Sequence, residues 1–135
     1  MKILKAKKYL QEISIPLQLF KVEDINIIPS LDWIYNRSNQ FGYKDSFNNK
    51  GMIYPIVVTD EKEEWVQKRI LPKNPHHRDE NGNLKKGLYV HVGNKRVLYA
   101  RENNYDMIEG YFVTEHKDKT HIQRLQHISH TKIPK

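Results

Sequence analysis

Residues 88–113, LYVHVGNKRVLYARENNYDMIEGYFV, constrain the fold of this sequence more than any other segment. Leu88, Val90 and Val92 are spaced as on one side of a β-strand. Gly93 permits a tight turn, and the basic segment that follows it is helix-like. A second β-rich run closes the segment at 111–113. The succession of strand, turn, helix and strand predicts the α/β (α+β) class, with a small mixed sheet and packed helices.

The turn after the first strand carries the best candidate site. The first turn of a helix has N–H groups without intrahelical acceptors at the positive end of the helix dipole, so it binds anions. Lys95 and Arg96 lie in that turn, where the dipole disfavours cations unless an anion sits between them. Arg96 can donate two hydrogen bonds to a phosphate, whereas Lys95 is a mobile charge. Gly93, Asn94, Lys95 and Arg96 are therefore the predicted phosphate- or nucleotide-binding residues; the alternative is a solvated basic turn.

Length and composition place the chain among small intracellular proteins. Its 135 residues fit one domain, 1–135, with a modest core. It has no cysteine, which excludes disulfides, thiolate zinc sites and cysteine nucleophiles. No apolar run approaches the length of a membrane span, and no signal-peptide pattern follows Met1. The sequence thus predicts a cytoplasmic protein without a membrane partner.

The charge balance points to polyanions. A net charge of +7 favours nucleic acid or phosphorylated ligands, although basic residues can also serve solubility alone. The start of the chain, residues 1–13, is rich in lysine. It predicts either a short amphipathic helix with Ile3, Leu4 and Leu10 turned inward, or a basic arm.

The segments around the turn give the rest of the organisation. Residues 53–58 predict a strand, with Pro55 at an edge or at the strand entry. Residues 60–87 are polar and charged; they predict a surface insertion anchored by Trp65, with a hairpin turn at Asn81-Gly82. Residues 114–135 form a basic, histidine-rich tail in which apolar residues recur every three positions, which predicts a partly helical tail.

The histidines do not predict a metal site. His127 and His130 have a spacing compatible with one helix face, but no His-Glu-x-x-His pattern or comparable carboxylate pattern accompanies them. The acidic run that begins at Asp60 could hold Mg²⁺ near a phosphate, yet a solvated acidic loop is the commoner outcome for such a run.

Two motifs in the same order resemble the ParB/sulfiredoxin superfamily. The first is GMIYPIVV at residues 51–58, and the second is GNKR at residues 93–96. Ala100 matches a small residue of the helix that follows in that family, and Asn104 stands where the family ends this helix with glycine. The resemblance implies a stand-alone ParB-like domain, phage- or plasmid-type, with a core at 22–113.

The resemblance also implies site residues. It places the nucleotide at the 93–96 turn. It adds four candidates: Arg37, near a family pocket arginine; Tyr54 and Pro55, in the first motif; and Arg124, the arginine of a Gln-Arg pair that ends the HIQR segment. The family's turn glutamate is Asn94 here and its first turn arginine is Lys95. The cysteine on which sulfiredoxin chemistry depends is absent.

Two classes of function follow. In the first, the turn recognises phosphate on a nucleotide or on a nucleic-acid backbone. Any chemistry would then be that of a ParB-like nuclease, nucleotide hydrolase or phosphotransferase with Mg²⁺ and a nucleoside triphosphate. In the second, the chain is a non-catalytic phage or plasmid accessory protein that binds DNA or a host protein.

Overall fold

The structure, a computed structural model, describes residues 1–11, 13–29, 50–70 and 77–131. Within these ranges a mixed sheet of six strands packs with three helices, which confirms the predicted α+β class. In chain order the elements are β1 (Ile3–Leu4), β2 (Leu17–Lys21), a 3-10 turn (Val22–Asp24), β3 (Ile25–Ile27), β4 (Ile56–Asp60), α1 (Glu64–Ile70), β5 (Leu88–Val92), α2 (Asn94–Glu102), β6 (Met107–Phe112) and α3 (His116–Thr131).

Strand β6 organises the sheet. Along one of its edges, β1 pairs in parallel with Met107 and Ile108, and β4 pairs in parallel with residues 110–112. Because β2 runs antiparallel to the whole of residues 107–111, it takes the other edge of β6. Strand β5 then pairs antiparallel with β4, and β3 pairs parallel with β5 at the far side.

The helices cover both faces of this sheet. On one face, α2 buries Val97, Leu98 and Ala100 against the strands. On the other face, Ile122 of α3 packs with Val57. Burying apolar surface on both faces is what makes such thin layers stable. The buried residues of the α2 face include Leu4, Phe20, Ile25, Ile27, Ile56, Val58, Val90 and Ile108.

The strand predicted at residues 53–58 is displaced toward the C-terminus. It begins at Ile56 and continues to Asp60. Pro55 lies immediately before it, as a strand-entry proline, because a residue without N–H cannot contribute a donor to a ladder. The alternative edge position is wrong, since β4 lies between β5 and β6.

The N-terminal segment is not the predicted amphipathic helix. Instead Ile3 and Leu4 form β1, which is anchored by long-range bonds to the start of β6. The backbone N–H of Lys2 donates to the Asp106 carboxylate over 2.7 Å, and the Asp106 N–H donates to the Lys2 carbonyl over 2.8 Å. The buried Leu4 side chain gains more from the sheet than a short isolated helix could provide.

The segment 60–87 is more structured than its composition suggests. It contains α1, supported by a Glu64–Lys68 ion pair of 3.0 Å, and a turn in which Gly82 has a φ of 79°. The turn closes a bridge between Arg78 and Leu84, in line with the predicted hairpin. Its anchor is not Trp65 alone, because Val66 is fully buried. The cluster that fixes this segment consists of Ile28, Val66, Leu84 and Tyr89, with Trp65 half-buried against it.

The remaining local predictions are confirmed. Helix α2 begins one residue after Gly93 and β6 closes the segment. Asn104, after the helix end, has the left-handed φ of 59° expected of a residue in the glycine position. The predicted tail helix is α3. No helix in the described ranges is long and apolar enough to cross a membrane.

Candidate phosphate-binding site

Gly93 joins β5 to α2 under two separate constraints. Its φ and ψ are 107° and 33°, in the region that side chains with a Cβ avoid. A Cβ built on it would lie 2.8 Å from Cγ2 of Ile56 and 3.1 Å from Cδ of Arg96. The glycine therefore sets the direction of the helix start and lets it approach β4 closely.

The side chain of Asn94, at the N-terminus of α2, accepts a hydrogen bond from a distant backbone N–H. Its Oδ1 accepts a hydrogen bond from the Ile28 N–H over 3.1 Å, which ties the end of β3 to the start of α2. The first intrahelical bond runs from the Val97 N–H to the Gly93 carbonyl over 3.1 Å. The N–H groups of the first turn precede that bond and therefore have no intrahelical acceptor.

Arg96 is the central cation of the site. The residue is half-buried and its guanidinium is enclosed between three elements. Nη1 donates to the Pro55 carbonyl and Nη2 donates to Oε1 of Gln126, both over 3.1 Å. Both acceptors are neutral. Burial without a carboxylate partner in these bonds lowers the pKa of Arg96 to about 10, because desolvation disfavours its charged form.

Gln126 is the residue that the sequence analysis missed. It is buried on α3, and its Nε2 donates to the same Pro55 carbonyl over 3.3 Å. Arg96, Pro55 and Gln126 thus form a triangle that links α2, the entry of β4 and α3. A signal for it existed, since Lys119, Ile122 and Gln126 follow the three- and four-residue spacing of a buried helix face, and all three are buried.

Of the other predicted residues, the structure describes Lys95, Arg124 and Tyr54. Lys95 is half-buried next to Arg96 in the first turn of α2. Arg124 is exposed; it stands two residues before Gln126, about 200° away around the helix, so it points elsewhere. Tyr54 is only 3% exposed and offers no open ring for base stacking. Arg37 lies outside the described residues.

The backbone of Lys7 and Lys8 is bonded to the segment that precedes Pro55. The N–H of Lys7 donates to the Met52 carbonyl over 3.0 Å, and the N–H of Lys8 donates to the Ile53 carbonyl over 2.8 Å. Both side chains are exposed. The basic start of the chain is therefore anchored along the segment that leads into Pro55, and the basic arm stays a prediction.

The described histidines occupy other positions. His77 is buried, with Nε2 at 2.9 Å from the Ile27 carbonyl oxygen. The ring of Trp65 lies 4.8 Å from that of His91 and 5.3 Å from that of His116. Across the ranges that the structure covers, no three side chains of histidine, cysteine or acid types gather as a metal site would require.

Comparison with protein-family models, with curated proteins and with solved structures finds no match to this chain. Any functional assignment therefore depends on the residues of the site.

Proposed function

We propose that this protein binds phosphate groups, of a nucleotide or of a nucleic-acid backbone, at the turn 93–96. The observation that carries the proposal is the position of Arg96. Its guanidinium is enclosed beside a helix N-terminus and is held by two neutral oxygens, those of Pro55 and Gln126. A phosphate would supply the negative charge that these acceptors lack.

A bound phosphate would offset part of the free-energy cost of burying the Arg96 charge. A charged arginine taken out of water loses hydration, and neutral acceptors return only part of it. A phosphate oxygen at the first turn would accept from the backbone N–H groups and interact with Lys95 and Arg96 together. The existing bonds to Pro55 and Gln126 orient the guanidinium before a ligand arrives, so less entropy is lost on binding.

The donor set of the turn limits the proposal to binding. Gly93, Asn94, Lys95 and Arg96 offer N–H donors and cations, which fit phosphate oxygens. They offer no carboxylate for Mg²⁺, so a magnesium ion at this turn would be held by the triphosphate itself. The ParB-like assignment, and with it nuclease or nucleotide hydrolase activity, stays a prediction. It is tested by assaying turnover of nucleoside triphosphates and plasmid DNA with Mg²⁺.

The decisive experiment is calorimetric titration of wild type and variants with a nucleoside triphosphate and with a short DNA duplex. Arg96→Ala should weaken binding by about 2 kcal/mol, the range for losing a hydrogen bond to a charged group. Arg96→Lys should restore little, since an ammonium cannot reproduce the planar fork. Arg124→Ala is the matched control, because it removes the same charge from an exposed position.

Three results are informative. Loss of binding in Arg96→Ala but not in Arg124→Ala supports the site. Equal small losses in both variants indicate a diffuse electrostatic surface and contradict it. If Arg96→Ala melts like wild type and binds both ligands unchanged, Arg96 is only a structural link between α2, β4 and α3.

A further inference from the structure

Gln126 of α3 places a neutral amide where a carboxylate would neutralise the enclosed arginine. The residue is 3% exposed, and its Oε1 accepts from Nη2 of Arg96 over 3.1 Å. Because arginine offers donors only and a carbonyl oxygen accepts only, the amide must turn its oxygen to Arg96 and its nitrogen to the Pro55 carbonyl. Both ends of the buried amide are therefore used.

Glutamate has the shape of glutamine and would form the charge-assisted pair that arginine favours. With glutamine at this position, the Arg96 guanidinium donates to two neutral oxygens, and in the described part of the chain no carboxylate is bonded to it. Those two bonds use two of its five N–H donors. The positive charge and the other donors are what an anion requires.

We propose that Gln126 is a positioning residue that also sets the charge selectivity of the site: its amide holds Arg96 in place and leaves the guanidinium charge for an anionic ligand. This inference rests on the proposed function, since it concerns the same phosphate at the turn 93–96. A carboxylate at position 126 would pair with Arg96 internally and would repel the incoming phosphate. The amide therefore favours ligand binding where the acid would favour an internal ion pair.

A purely structural role for Gln126 makes a different prediction. If the residue only joined α3 to Pro55, its loss would weaken phosphate binding to the degree that it loosens the fold. Gln126→Leu and Gln126→Glu both remove the donor to the Pro55 carbonyl, so they share that defect. They differ in charge, and only charge selectivity predicts a wide difference in affinity between them.

The experiment is calorimetric titration of wild type and variants at low salt, with a nucleoside triphosphate and with a short DNA duplex. Gln126→Glu should weaken binding by about tenfold or more, because its carboxylate repels phosphate. Gln126→Leu should weaken it by roughly threefold, since Arg96 keeps its charge and loses one orienting bond. Gln123→Glu makes the same change at an exposed position of α3 and should stay within about twofold of wild type.

Thermal melts of the same variants give a second readout. Gln126→Glu should melt at a higher temperature than Gln126→Leu, because it still offers Arg96 an acceptor, whereas leucine leaves the Nη2 donor without that partner. The variant with the lower affinity should therefore have the higher Tm. A purely structural residue would give the same order in both measurements.

The outcomes distinguish this inference from the proposed function. If wild type binds neither ligand, the phosphate site itself is wrong, and the selectivity of Gln126 is refuted with it. If wild type binds and both Gln126 variants lose affinity equally, the site stands and charge selectivity is overturned. Wild-type affinity in Gln126→Glu would also overturn it. So would failure of Gln126→Glu to fold, because an uncompensated guanidinium should accept a carboxylate beside it.

Discussion

Gly93→Ala should destabilise the protein through two effects that add. The first is the backbone: an L side chain at a φ of 107° costs about 1–2 kcal/mol. The second is packing: the new Cβ would lie 2.8 Å from Cγ2 of Ile56, which is fully buried and cannot move away freely. Overpacking of a core costs roughly 1–3 kcal/mol. The expected loss in free energy of unfolding is therefore about 2–5 kcal/mol.

The chain offers a matched control in Gly82. It also has a positive φ, of 79°, but a Cβ there would have no heavy atom within 4 Å outside its chain neighbours. Gly82→Ala should show the backbone effect alone, about 1–2 kcal/mol. The difference between the two variants measures the contact with Ile56.

The measurement is urea denaturation of wild type and both variants, followed by circular dichroism, with thermal melts as a second probe. For a chain of this size each kcal/mol corresponds to roughly 4 °C in Tm. If Gly93→Ala loses no more stability than Gly82→Ala, the close packing of the turn on β4 is wrong. Gly93 would then not be required to position the helix start and Arg96 against β4.

Four further outcomes can be checked on the same protein. Asn104→Ala should cost about 1 kcal/mol in denaturation because of its φ of 59°, whereas Asn104→Gly should not destabilise. The hydrogen bond to Glu109 raises the pKa of Tyr9 to about 12, so stability from this bond is present below pH 10 and is lost as pH rises toward 12. Burial also raises the pKa of Tyr89 to about 12, so phenolate absorbance should show one late-titrating tyrosine fewer in Tyr9→Phe than in wild type. Leu84→Ala should cost about 2–5 kcal/mol if the 77–87 turn is part of the fold; a near-neutral result would make it an independent appendage. Binding to DNA, where it occurs, should weaken steeply with salt in filter or fluorescence titrations, and an affinity independent of salt would contradict the electrostatic account.

Local rules explain why the sequence predicted the central segment well. The alternation in 88–92 and the helix start after Gly93 depend on interactions within a few residues, and so does the left-handed Asn104 that follows the helix. The spacing of apolar residues likewise predicted α3. In each case the interactions that stabilise the element are made between residues that are close in sequence.

Other features, such as β1, depend on contacts between residues that are far apart in the sequence. β1 forms because its backbone meets β6, with a hydrogen bond from Lys2 to Asp106 across 104 positions. The HIQR segment predicted Arg124 as a candidate residue. On helix α3, however, Gln126 faces the site and Arg124 does not. Short-range preference is weak compared with burial against a distant partner, so tertiary packing decides such positions.

The sequence by itself determined the class of fold, the strand–turn–helix unit and the basic residues of its turn. Only the tertiary structure decided that Arg96 is enclosed by Pro55 and Gln126, which lie 41 and 30 positions away, and that β2 pairs with β6. The physical reason is the range of the interactions. Periodicity and turn chemistry act between neighbours, whereas desolvation of a charge and pairing of strand edges depend on which distant segments the folded core brings together.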